Sequence, residues 1–191
     1  MLQRIEQAAS VINPVFLNSP QYLAEALSEK LGCRPVVKVE TLNPIRSFKG
    51  RGAEFFVASL AGRPHLVCAT AGNFGQGMAF AARKRGLRIT IFVDANVNSL
   101  KIERMRALGA DVRVAKGPDA AAEAETFAAE HGGLLVVDGR DAAIGEGAGT
   151  IGMELLRWPQ PFDAMVVPLG DGSLLAGVAC WVKAHHPATR M

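Results

Sequence analysis

Short β-branched runs alternate with amphipathic segments of helical length along almost the whole chain, and that alternation admits few folds. Residues 36–39, 65–70, 88–93, 111–114, 134–137 and 164–167 read as strands. Between them the punctuation is that of helices. Ser19-Pro20 reads as an N-cap followed by proline at the first helical position, Leu23, Leu27 and Leu31 share one face, and Gly32 is the stop. Helices are also expected over about 52–60 and 77–85, from Asn98-Ser99 to Ala107 with Gly109 as stop, from the Asp119 cap to about Glu130, from the glycine-rich 145–152 to Leu156, and from the 170–173 turn to about Ala184. The expected architecture is a three-layer α/β fold with open parallel sheets.

Composition agrees with a globular chain. Of 191 residues, 49% are hydrophobic and 20% charged, figures that exclude a disordered or collagen-like polymer. Three distant cysteines, Cys33, Cys68 and Cys180, form no metal-ligand spacing and no disulfide framework. His185-His186 makes a poor metal pair, because adjacent residues on a helix point about 100° apart. A net charge of +3 is spread thinly, and its densest stretch, Arg83-Lys84-Arg85, sits where a helix end favours cations. With aromatics at 6%, no nucleic-acid surface is expected. No apolar stretch suits a membrane span and the N-terminus lacks a signal-peptide pattern, so a cytoplasmic protein is expected.

Three segments can carry chemistry. In Ser47-Phe48-Lys49-Gly50-Arg51-Gly52 a lysine enters a helix from a loop. There it can be partly desolvated and bond covalently to an aldehyde cofactor, although the spacing alone favours a solvated lysine. Thr70-Ala71-Gly72-Asn73-Phe74-Gly75-Gln76-Gly77 follows an expected strand; its glycines can turn backbone N–H groups toward a carboxylate, Asn73 can bond a ring substituent, and Phe74 can cover an aromatic face. Gly170-Asp171-Gly172-Ser173 can cradle phosphate at a helix N-terminus. It lacks both the dinucleotide fingerprint and the Gly-Lys-Ser/Thr of a nucleotide loop, so its phosphate would belong to another cofactor. Each of the last two segments is also compatible with a plain strand–helix turn. Asp138 and Glu146 read as surface or capping residues, Trp158 and Trp181 as core or interface anchors.

Taken in order, SFKGRGA, TAGNFGQG, GAGTIGMEL and PLGDGSLLAG resemble the fold-type II pyridoxal-phosphate enzymes, the tryptophan synthase β-like class, and most closely their serine/threonine dehydratase and serine racemase branch. The resemblance implies that Lys49 holds pyridoxal 5′-phosphate as a Schiff base and acts as base at the substrate α-carbon. It further implies that Phe48 and Asn73 flank the cofactor and that Gly170, Gly172 and Ser173 hold its phosphate. Thr70, Ala71, Gly72, Asn73 and Gln76 would bind the substrate, and no metal is implied. The implied reaction converts L-threonine or L-serine to a 2-oxo acid and ammonia; the alternatives are a cofactor-binding or assembly protein without turnover, and a β-replacement enzyme of cysteine synthase type.

Departures from the family pattern shape these expectations. Ala71 stands where the racemases carry a serine that transfers a proton, which favours elimination. Asp171 and Ser173 stand where glycines are commonest, and a carboxylate at 171 must point away or repel a phosphate. The family's C-terminal region has no counterpart in this sequence. Residues 1–64 and 143–191 are therefore expected to form an incomplete large domain, and residues 65–142 a small one. A homodimer, or a second chain completing the fold, is the expected partnership.

Overall fold

The computed structural model describes residues 1–70, 72–117 and 119–191. A four-stranded parallel sheet runs in the order β5 (Asp111–Val114), β4 (Ile89–Val93), β3 (Leu66–Ala69), β6 (Leu134–Leu135). Its registers pair Cys68 with Ile91 and Ile91 with Val112. Strand alternation decides which helix each residue meets. Leu66, Cys68, Ile91 and Val93 point toward α4 (Asn73–Arg85) and α5 (Ser99–Ala107), joining Phe74, Met78 and Met105 in the principal core. Val67 and Phe92 point the other way, onto Ala120, Ala124 and Ala128 of α6 (Ala120–His131). Helices thus cover both faces, the three-layer arrangement expected from the sequence.

A helical cluster abuts this sheet. It consists of α1 (Leu2–Val11), α3 (Lys49–Ser59), α7 (Ala142–Leu155) and α8 (Ser173–His185). Close approach depends on missing side chains. A Cβ on Gly177 of α8 would collide with the Gly145 carbonyl of α7, and one on Gly52 of α3 would lie 2.6 Å from the Ile144 carbonyl. The GAGTIG segment is therefore a packing surface as well as a sequence signature.

Several elements depart from the sequence reading. No helix begins at Ser19-Pro20; Gln21–Leu23 instead forms β1, paired antiparallel with β2 (Val36–Lys38). The Ser19 hydroxyl donates to Glu40 and accepts from Arg51 at 3.2 Å, so it is spent on a tertiary network rather than a cap. The helix that follows, α2 (Glu25–Leu31), is short and buries no residue, with Leu31 62% exposed. Residues 164–167 form no strand. Among the described residues one isolated bridge joins Ala164 to Arg190 and no strand pairs with 164–167, and Val166 is fully exposed. Helices α3 and α4 begin at Lys49 and Asn73, about one turn earlier than glycine content suggests, since packing outweighs propensity there. Helix α1 was not signalled by the strand–helix alternation and is fixed by burial of Ile5 and Ala8.

Candidate active site

Lys49 occupies the first position of α3, and the loop before it is locked by one side chain. Asn43 Oδ1 accepts from the backbone N–H groups of Ile45 and Ser47, each at 3.2 Å, while its Nδ2 donates to the carbonyls of Glu40 and Ser47. Arg46, at φ 54°, takes the left-handed conformation that closes this turn. At this first turn of α3 the Lys49 carbonyl meets α4, where a Cβ on Gly77 would lie 3.1 Å away. The Phe48 ring centre is 5.0 Å from Lys49 Nζ, within cation–π range.

The amine opens on a cavity of about 440 Å³ at the carboxyl ends of β3 and β6, lined by Ala69, Thr70, Gly72, Asn73, Phe74, Lys101, Val137, Asp138 and Asp171. Open parallel sheets place their sites at this end. Thr70 Oγ1 accepts from the Gly72 N–H at 3.2 Å, and Asn73 Oδ1 accepts from Gln76 Nε2 at 3.2 Å, so the asparagine loop is braced before any ligand arrives. Gln76 is buried behind Asn73 and does not line the cavity. Ala71 lies outside the described residues.

Two carboxylates share the cavity. Asp138 Oδ2 accepts from Lys49 Nζ, and its Oδ1 accepts from Ser173 Oγ at 3.1 Å. One carboxylate therefore links the amine to the first residue of α8. Asp171 Oδ2 is 3.8 Å from Lys49 Nζ but its side chain is 61% exposed. It neither points away nor sits buried, which refines the expectation for this position. Gly139, at φ +79°, fits against the Asp171 carbonyl, where a Cβ would clash, and so lets the 138–139 turn approach the 170–172 turn. Gly170 and Gly172 face open space. Lys49 and Asn73 thus line one cavity, while Ser173, Gly170 and Gly172 stand outside its lining and Ser173 is tied to it through Asp138. Phe48 does not line this cavity; its ring packs in the cluster between α7 and α8 and borders a separate groove.

Asp138 is misread by sequence reasoning as a surface or capping residue. Its signal was available: an acid directly after a parallel strand sits where such sheets bind ligands. Lys101 was also missed, and no motif marks it; its Nζ would lie 3.8 Å from a Cβ on Gly72. Glu146 is no surface residue either, being 7% exposed and paired with Arg4 at 3.2 Å.

A family profile described as "Pyridoxal-phosphate dependent enzyme" matches residues 12–191. The chain is 35% identical over 185 residues to "Threonine dehydratase biosynthetic, chloroplastic" of Arabidopsis thaliana, covering 93% of this chain and 31% of that one. Among solved structures, the processed form of threonine deaminase isoform 2 from Solanum lycopersicum superposes with a TM-score of 0.88 at 31% identity, over 98% of this chain and 54% of that one. Serine racemase from Dictyostelium discoideum gives 0.90 at 27% identity, over 99% and 63%. The chain spans about a third of the length of the Arabidopsis dehydratase and just over half of the tomato structure.

Proposed function

Because the chain belongs to the pyridoxal-phosphate-dependent enzyme family, we propose that it carries the ammonia-lyase half-site of a threonine or serine dehydratase, with L-threonine or L-serine as substrate and a 2-oxo acid and ammonia as products. The observation that supports this reading best is the placement of Lys49 Nζ on a cavity that faces both the Asn73 loop and the α8 turn. The residues present fit pyridoxal 5′-phosphate in most respects. An amine, a braced asparagine loop and two open glycines before a helix N-terminus match its aldehyde, ring substituent and phosphate, whereas Asp138 and Asp171 oppose the phosphate charge. When bound, the cofactor supplies the electron sink that acidifies the α-proton of an amino acid.

The chain's own groups supply the rest. Lys49 Nζ would be the group that holds the cofactor, and as a free amine it would take the α-proton. The backbone of Thr70, Gly72 and Asn73 before and at the start of α4 would receive the substrate carboxylate, and the Asn73 side chain would contact the cofactor. Gly170, Gly172 and Ser173 would hold the phosphate at the positive end of α8. Ala71 has no proton to give or take, which favours elimination of the β-hydroxyl over racemisation. Residues 1–64 with 143–191, and 65–142, are the two units whose cleft these groups would line.

The two carboxylates support a second reading, a homologue that binds poorly or without turnover. Release of 2-oxo acid separates the two. The purified chain supplied with pyridoxal 5′-phosphate is expected to form 2-oxobutanoate from L-threonine or pyruvate from L-serine, and Lys49→Ala to form neither. Loaded protein that releases no 2-oxo acid from either substrate overturns the lyase reading in favour of the second.

A further inference from the structure

The contact that distinguishes this site is the double engagement of Asp138. One of its oxygens holds Lys49 Nζ, the other holds Ser173 Oγ, and its side chain is 11% exposed. These are the two groups assigned above to the cofactor's aldehyde and to its phosphate, which hang from adjacent ring atoms. An amine donating into an ion pair has no lone pair to offer an aldehyde carbon, and a hydroxyl donating to a carboxylate is not donating to a phosphate. The Asp138 charge also stands beside the turn that would receive a phosphate dianion, with Asp171 adding to it from the rim. Gly139 lets the Asp138 turn and the turn before α8 come this close, because a Cβ there would collide with the Asp171 carbonyl oxygen.

We propose that Asp138 is a self-occluding carboxylate, a built-in competitor that must release both Lys49 and Ser173 before the chain captures pyridoxal 5′-phosphate. The proposal rests on the cofactor reading of this cavity. Capture then balances as follows: the Lys49 ammonium gives up one proton to solvent, its nitrogen attacks the aldehyde carbon, and the aldehyde oxygen leaves as water. The carboxylate must swing out of the path or lose its charge for this to occur. Asp171, exposed and farther from the amine, is a weaker competitor.

Titration of pyridoxal 5′-phosphate into the purified chain, followed by borohydride reduction and peptide mass spectrometry, measures capture on Lys49 without any turnover. Asp138→Asn and Asp138→Ala are each expected to lower the concentration for half-capture at least tenfold, and Asp171→Asn by less. Pyridoxal without its phosphate is expected to gain as well, but by a smaller factor, since only the Lys49 end of the contact then matters. Circular dichroism and melting temperature identify which of the two position-138 variants is folded, and a folded one is sufficient. Capture by the unaltered chain as tight as in that variant overturns the proposal while leaving the cofactor reading intact. Absence of adduct on Lys49 in every variant overturns both.

Discussion

Lys49 is distinguished less by its own sequence than by what meets it in space. The Asn43-locked loop fixes its backbone, Phe48 covers one side and Asp138 claims its amine. Each motif residue was visible in the sequence, yet Asp138 was not assigned, because its partners lie 89 and 35 positions away and no local spacing encodes such contacts. The cysteines give an independent test at this scale. Cys68 is wholly buried in β3, and burial, then the Asp138 charge, pushes its thiol up to about 12. Cys33 is exposed. A thiol-disulfide reagent at neutral pH is expected to modify Cys33 promptly and Cys68 only after unfolding; rapid modification of Cys68 in the folded chain contradicts this placement.

Helices α3 and α7 are joined to β2 by an ionic network with no exposed guanidinium. Arg51, 0% exposed, donates to Glu154 Oε1 at 2.6 Å and to Glu40 Oε1 at 2.8 Å, while Lys38 reaches Glu154 Oε2 at 2.6 Å. Burial disfavours the Glu154 charge, but Arg51, then Lys38 and the Asn18 N–H, outweigh it and hold the carboxyl below the usual range. A group depressed in the folded state stabilises above its unfolded value, about 4.3 for glutamate, and loses that contribution as pH falls through the folded value. The melting temperature is therefore expected to fall below about pH 4, with a shallower acid decline in Glu154→Gln. Equal slopes contradict the assignment. Arg51→Ala, which strands buried carboxylates, is expected to cost about 3–5 kcal/mol in denaturant unfolding.

The α7–α8 contact is a second test at the scale of elements. Gly177→Ala places a methyl against the Gly145 carbonyl, and forced overpacking costs about 1–3 kcal/mol. An unchanged unfolding midpoint contradicts the close approach. The glycines of GAGTIG were legible as a family segment, but their packing role appears only once α3 and α8 are in place. Residues 164–167 show the converse. Their β-branched character is real, yet a strand exists only where a neighbour supplies hydrogen bonds.

Across the whole molecule, the parallel sheet and its covering helices were legible because period-two and helical patterns record burial on each face. Strand β2 was legible at 36–39, but β1 and its antiparallel pairing were not, since three residues after a proline carry too little pattern. Between that pair and residues 164–168 lies an apolar groove of about 1100 Å³, bordered by Leu23, Val36, Leu155, Trp158 and the fully exposed Val166. Trp158 thus lines a surface rather than a core. An open apolar surface of this kind is expected to bind a hydrophobic dye in the native state and to promote self-association, both reduced in Val166→Lys. Dye fluorescence and light scattering unchanged by that substitution contradict the reading.

The central claim, that Lys49 is the group poised to bond an aldehyde cofactor, is tested most directly by mapping the attachment point of pyridoxal 5′-phosphate. After incubation and borohydride reduction, the adduct is expected on the peptide containing Lys49, absent in Lys49→Ala and stoichiometric in Asp138→Asn. An adduct spread over surface lysines such as Lys84 and Lys116, with the Lys49 peptide unmodified in both the parent chain and Asp138→Asn, contradicts the account.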